Sequence, residues 1–268
     1  MNNTYSIFIS SSDSYSDIWD VFFDMFQKFW PNYKGKIYLQ TEEKEYTHDG
    51  LSIICTKVGR CKAFGETFRA GLDTVLEDNV LLMMIDYMFM GQVDNDLLQS
   101  LYNHFCKGRL DCLVLSALPL TCYHDSSNSN LLVAEPPAGR SMFGFQMAFW
   151  QKDVLYNIVL PHENPWMAEW YGSSRAEKMK LRMEYLKDDT LKPIPYDGRG
   201  CLHQGKWLDN AVQLLRELDY SFDFSHRGFY DDNNGYYSWK YRFKIKWIIW
   251  STGLKGSYLD LLKRKPIH

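Results

Sequence analysis

The run Val80-Leu81-Leu82-Met83-Met84-Ile85 places the tightest limit on the fold. Successive side chains of a strand point to opposite faces, so an unbroken apolar run must be covered on both sides. A central strand of a parallel sheet meets that demand, and a half-solvated hairpin does not. The run is also far short of the ~20 apolar residues that would span a bilayer. Four more short apolar runs share its polar borders: Ser6–Ser10, Lys36–Gln40, Leu51–Thr56 and Cys112–Ala117.

Helical spacing fills the gaps between these runs. Ile18, Phe22, Phe26 and Phe29 predict a first helix, ended by Trp30-Pro31. Phe64, Phe68, Leu72 and Val75 predict a second. Leu97, Leu101 and Phe105 predict a third, with Asp94 as its N-cap. Alternating strands and helices predict an α/β fold, a mostly parallel central sheet with helices on both faces. The second half is less regular. Gln146 and Trp150 are expected just before a helix whose Val154, Leu155, Ile158 and Val159 pack inward. Ser174-x-x-Glu177 has the form of a capping box and predicts a helix carrying Met179, Met183 and Leu186. Leu208, Ala211, Leu215 and Leu218 predict another. Residues 122–142, rich in Ser, Asn and Pro, read as a long surface loop. One domain over residues 1–230, followed by an extension over 231–268, accounts for the pattern.

Composition narrows the functional classes. The net charge of −3 argues against a dedicated nucleic-acid binder. Six cysteines at 55, 61, 106, 112, 122 and 201 show no C-x-x-C pair, which fits reduced thiols in a cytoplasmic protein. The N-terminus, MNNTYSIFISSSD, has no basic region of the kind that opens a signal peptide. Nine Trp and eighteen Tyr are many, and they suit packing, carbohydrate contact or a membrane interface.

Two acids stand where an open parallel sheet binds ligands, beyond the carboxyl ends of its strands. Ser11, Ser12 and Asp13 follow the first strand and lead into a helix. They suit a nucleoside or phosphate, or simply cap the helix. Asp86 follows the buried run, placed to meet a ribose or a phosphate-bound cation, or to end the strand. Mg²⁺ or Mn²⁺ beside a diphosphate needs only one or two protein carboxylates. No G-x-G-x-x-G and no Walker loop is present. Later, Glu163 and Glu169 bracket Asn164-Pro165-Trp166. Sugars stack on Trp and need a carboxylate for their chemistry, whereas a Trp-capped corner with solvated acids needs neither.

The order SSSDSYSDIW, FGETFRAGL, LLMMIDYMF, QMAFWQKDVL, ENPWMAE resembles the glycosyltransferase A-type fold. More narrowly, it is similar to a group of bacterial and viral surface-polysaccharide glycosyltransferases. The matching pieces are Asp86–Phe89, Gln146–Trp150, Asn164–Glu169 and Gly205–Trp207, within roughly residues 5–210. The D-x-D metal motif of that fold type is absent, because Ile85 precedes Asp86 and Asp86-Tyr87-Met88 holds no second acid. The resemblance implies a Rossmann-like catalytic domain that moves a sugar from a nucleotide-sugar donor to a glycan or lipid-linked glycan acceptor. It implies nucleotide contacts at Ser11, Ser12, Asp13 and Asp86, and sugar contacts at Gln146, Trp150, Asn164 and Trp166. Glu169 would be the base of an inverting transfer, with Glu163 the alternative. Arg69, Arg175, His203 and Lys206 are candidates to stabilise the departing diphosphate. The glycine-rich segment 197–206 would fold over it as a lid.

Between Lys240 and His268 there are eight basic residues and one acid, Asp260. From Trp239 to Trp247, aromatic or apolar residues alternate with Lys or Arg. That pattern suits peripheral contact at the inner face of a membrane, or an edge strand protected by lysines. Two other classes of function remain open at this point. A glycoside hydrolase would use Glu163 and Glu169 as its carboxylate pair. A non-catalytic glycan-binding or assembly relative would need neither acid.

Overall fold

The computed structural model describes residues 5–60, 63–117, 131–134 and 142–230. The first half contains β1 (Ser6–Ser10), a 3-10 turn (Asp13–Ile18), α1 (Trp19–Phe29), β2 (Lys36–Leu39), β3 (Ser52–Cys55), α2 (Phe64–Asp73), β4 (Asn79–Met84), α3 (Asn95–Gly108) and β5 (Cys112–Ala117). Then come β6 (Leu132–Ala134), β7 (Ala148–Gln151), α4 (Lys152–Ile158), α5 (Pro165–Met179), β8 (Met183–Leu186), β9 (Leu202–His203), β10 (Lys206–Trp207) and α6 (Asp209–Glu217).

Eight strands form one sheet in the order β3-β2-β1-β4-β7-β5-β8-β6. β3, β2, β1 and β4 run parallel, and β5 runs parallel to β8. β7 is antiparallel to both β4 and β5, and β6 to β8. The expected α/β class, mostly parallel with helices on both faces, is what the chain adopts. Alternation along the strands divides the core into two layers. Ile7, Ile9, Leu81 and Met83 enter the layer covered by α1, α3 and α6. Phe8, Val80 and Leu82 enter the layer covered by α2, α4 and α5. The apolar run Val80–Ile85 is therefore buried on both faces, each large side chain contributing about 1.5–3 kcal/mol.

Local signals at the first three helices hold. Trp30 ends α1, its indole N–H donating to Asn95 Oδ1 at 2.6 Å. The Asp94 carboxylate caps α3 by accepting from Leu97 N at 2.9 Å. Cys55, Cys106, Cys112 and Cys201 are free thiols.

The helix expected after Trp150 is present as α4, with Leu155, Ile158 and Val159 buried. The residues before it form a strand, β7, wedged between β4 and β5 so that Phe149 pairs with both Leu81 and Leu113. Two expectations are corrected. Ser174 does not open a helix. α5 begins nine residues earlier, with Pro165 in its first turn and Asn164 as N-cap, and it runs through Ser174 to Met179. Lys180 in the left-handed region (φ 54°) then ends it. Met183 and Leu186 lie in β8, between β5 and β6, and not on a helix. Finally, Leu132–Ala134 of the expected long loop pair as the edge strand β6.

The rest of that loop apart from Leu131 and Met142, the aromatic-basic tail, Cys61 and Cys122 lie outside the described residues. Among the described residues no helix is long and apolar enough to cross a membrane.

Candidate functional site

The chain leaves β1 toward β2 on one side and leaves β4 toward β5 on the other, although β1 and β4 are neighbours. Such a switch opens a crevice beyond the carboxyl ends of the two strands. Because β7 runs the opposite way, the residues that lead into it reach the same edge. Leu115 N donates to Met147 O at 2.8 Å there. Tertiary pairing thus brings Gln146 beside the residues that follow β4.

At the end of β1, Ser11 Oγ accepts from the Trp19 indole N–H at 2.8 Å and is buried. Ser12 and Ser14 hydroxyls share a hydrogen bond of 2.6 Å. The Asp13 carboxylate accepts from the backbone N–H groups of Glu42, Glu43 and Lys44 at 3.0, 2.9 and 3.1 Å. Burial pushes this carboxyl up, but the three N–H groups outweigh it and hold the group below the usual range. Most of its acceptor capacity is used, so Asp13 fixes the loop after β2.

Asp86 sits in the turn after β4, where Tyr87 N donates to Met84 O at 3.0 Å. It keeps some exposed surface. Even so, the atoms packed around the carboxyl withhold water, and burial pushes its pKa up to about 6. The glycine-rich segment lies directly on it. Cys201 N donates to Asp86 O at 2.7 Å, and Gly200, with φ +79°, passes the carboxylate at a distance that leaves no room for a side chain. These contacts anchor the segment as a strap along the Asp86 turn. Arg199 pairs with Asp197 at 2.8 Å, and Asn210 Nδ2 donates to the same carboxylate at 2.7 Å.

Gln146 joins the parts. Its Nε2 donates to Tyr87 Oη at 3.0 Å and to Gly198 O at 3.4 Å, and its Oε1 accepts from the Tyr196 hydroxyl at 3.0 Å. The Tyr87 and Tyr196 rings lie 5.0 Å apart. Burial, then the charges of Asp86, Tyr196, Glu169 and Asp197, push the Tyr87 hydroxyl far above its ordinary value.

Glu169 is on α5, and its Oε1 accepts from Phe145 N at 3.1 Å. Burial pushes this carboxyl above its ordinary value, and the one N–H offsets only part of that. Trp166 and Trp170, one helical turn apart, are 65% and 40% exposed. The Glu169 carboxylate thus reaches the Asp86–Tyr87 turn through the Phe145–Gln146 segment.

Several expected site residues are engaged elsewhere. Trp150 is fully buried beside Val80, at the amino end of β4, packed on Phe143. It cannot touch a sugar. Glu163 is 1% exposed and gripped by Arg175 at 2.8 and 2.6 Å, with Leu160 N donating at 2.9 Å. That buried pair ties the α4–α5 corner and leaves neither partner for catalysis or diphosphate. Arg69 donates to Tyr156 O and Val159 O and lies 3.7 Å over the Tyr156 ring, clamping α2 to α4. The Asn164 side chain accepts from Met167 N at 2.9 Å as the cap of α5. The His203 ring packs on Tyr230 at 4.4 Å, and its buried Nε2 has no hydrogen-bond partner among the described residues. Lys206, opposite it in the β9–β10 pair, is exposed.

Arg227 was missed. Its Nε and Nη2 donate to Asp17 at 2.6 and 2.5 Å, Nη2 also donates to Ser14 O at 3.0 Å, and the guanidinium covers Tyr15 at 4.9 Å. It ties the turn after β1 to the strap's hairpin across 210 residues. No local pattern could have signalled that pairing.

Among the described residues the donor set does not make a protein-built site for Mg²⁺ or Mn²⁺. Of the acids around this turn, Asp17 is paired with Arg227 and Asp197 with Arg199, which leaves Asp86 without a second unpaired described acid. Among the described residues no three His, Cys, Asp or Glu side chains converge.

No protein-family model matches the chain, and no curated protein does. Solved structures with a related chain path include bifunctional IspDF from Campylobacter jejuni, at 13% identity and a TM-score of 0.39 over 70% of this chain and 51% of that one. A second is S. aureus TarS 1-349 in complex with UDP, at 11% identity and a TM-score of 0.46 over 69% and 58%. A third is 2-C-methyl-D-erythritol 4-phosphate cytidylyltransferase from Thermus thermophilus, at 11% identity and 0.40 over 80% and 98%. The matched region spans about half the length of IspDF. These likenesses are loose, and the fold class stands on the strand order and the two helical layers.

Proposed function

We propose that the protein is a nucleotide-sugar-dependent glycosyltransferase of the A-type fold, acting on a glycan or lipid-linked glycan acceptor. One observation carries this reading. Asp86 and Glu169, far apart in sequence, are joined through two adjacent residues: Phe145 N donates to Glu169 at 3.1 Å, and Gln146 Nε2 donates at 3.0 Å to Tyr87, the neighbour of Asp86. The edge at Ser12 would take the nucleoside, with Asp86 meeting ribose or diphosphate; Ser11, buried with its hydroxyl held by Trp19 and Ser12 O, would only support that turn. Trp166 would stack on the sugar.

In the transfer, Glu169 takes the proton of the acceptor hydroxyl as that oxygen bonds to the anomeric carbon. The bond from that carbon to the diphosphate breaks, and the nucleoside diphosphate leaves with the electron pair. A carboxyl raised by burial is a better base for this step than a solvated one. Lys206 makes no ion pair among the described residues and is the remaining basic candidate for the leaving group. Sequence alternation in the tail supports docking on an anionic membrane surface.

The hydrolase reading is disfavoured, since Glu163 is locked to Arg175. A non-catalytic glycan-binding relative is the second reading. It is favoured by the internal use of Arg69, Arg175 and Arg227, which leaves few cations for a diphosphate.

Titration calorimetry with UDP, GDP and CDP, with and without Mn²⁺, tests the proposal. Binding of one of them is expected, and binding that appears only with Mn²⁺ would assign the cation to the diphosphate. A chain that binds none of the three while still binding glycan fits the second reading and overturns the first.

A further inference from the structure

We propose that Gln146 is a positioning residue that holds the strap 197–201 closed over Asp86, and that it does not contact the sugar. The consequence for nucleotide binding rests on reading this edge as the donor site.

The strap is fastened at both ends. Met90 N donates to Pro195 O at 2.8 Å on one side, and Cys201 N to Asp86 O at 2.7 Å on the other. Between these anchors the tip needs its own tie to the sheet, and the Gln146 amide supplies one. The Gly198 carbonyl can only accept, so the amide nitrogen must face it. The amide oxygen then takes the Tyr196 hydroxyl, and the second N–H reaches Tyr87, next to Asp86. Each polar atom of this side chain has a protein partner, which leaves little for a substrate. Gly198 belongs to the same fit, because a Cβ there would stand 3.2 Å from Gln146 Oε1. The strap tip, the Asp86 turn and the lead-in to β7 therefore move as one unit only while this amide is in place.

Amide hydrogen exchange on the full chain tests the lock without any ligand. Gln146→Leu removes all three bonds. Gln146→Glu can still accept from both tyrosine hydroxyls but has no N–H for Gly198 O. Loss of one hydrogen bond at a locally opening segment is expected to speed exchange at Gly200 and Cys201 about tenfold in both variants. Exchange in β1 and β4 should be unchanged. Gly198→Ala, which displaces the amide without altering it, should shift the same two positions in the same direction. A merely structural Gln146 would raise exchange across the sheet, or lower the melting temperature, without singling out the strap. Wild-type exchange at Gly200 and Cys201 in Gln146→Glu overturns the proposal. UDP calorimetry on the same variants gives the functional arm, with about tenfold weaker binding expected. If the wild-type chain binds no nucleoside diphosphate, the transferase reading fails, while the exchange data still decide the lock.

Discussion

A Cβ on Gly200 would stand 2.9 Å from Asp86 Oδ2, and the backbone at Gly200 has φ +79°. The strap can lie on the acid only because this position has no side chain. Alanine at 200 would face a left-handed backbone, worth about 1–2 kcal/mol, and also contact with the carboxylate and the Asp86 backbone. Gly200→Ala should therefore lower the unfolding free energy in urea by about 2 kcal/mol or more. An unchanged midpoint would mean the strap does not pack on Asp86.

Asp86 should make stability fall as pH rises. Its folded pKa of about 6 lies above the ordinary 3.8, so between these values the folded chain holds the proton and the unfolded chain has lost it. Stability is then fullest below about 4 and is lost up to about 6, by at most about 3 kcal/mol. Asp86→Asn should remove this slope. Urea melts at pH 4.5 and 7, compared between wild type and variant, measure it. Parallel pH dependence in the two chains would contradict the burial of this carboxyl.

Glu169→Gln keeps the shape of the side chain and its acceptor for Phe145 N, so nucleotide binding should persist. Loss of a general base costs typically ~10²–10⁴-fold in rate. Single-turnover transfer from a nucleotide-sugar donor is the readout. Full activity in this variant would remove Glu169 from the chemistry.

Two tryptophans should behave in opposite ways. Trp150 is fully buried, and Trp150→Ala should cost about 3–5 kcal/mol of stability. Trp166 is 65% exposed, and Trp166→Ala should stay within about 0.5 kcal/mol of wild type. With Trp166 stacking on the donor sugar as proposed, the effect should fall on the KM for the nucleotide-sugar. Thermal melts of the two variants side by side decide the contrast.

Breaking the buried pair by Arg175→Met leaves Glu163 charged without its partner, and should cost about 3–5 kcal/mol. Nucleotide affinity per folded molecule should not change, because Arg175 serves the α4–α5 corner. A selective loss of UDP binding with stability intact would return Arg175 to the site.

Local sequence determined much of this protein. The buried apolar run, the helical spacings and Asp94 as a cap are short-range signals, and β1, α1, α2, β4, α3 and β5 all appeared where they predicted. The same signals put Asp86 at a strand's carboxyl end. Only the tertiary structure decided the rest. That Ala148–Gln151 pairs as a strand depended on β4 and β5 standing on either side. Glu163, Arg69 and Trp150 carried the residue types of a site, yet each was claimed by partners or neighbours that packing supplied. Gln146 and Arg227 gained their roles from contacts 50 to 210 residues away. A residue's type and near neighbours fix its conformational preference. Its chemistry depends on which distant groups exclude water from it and take up its hydrogen bonds.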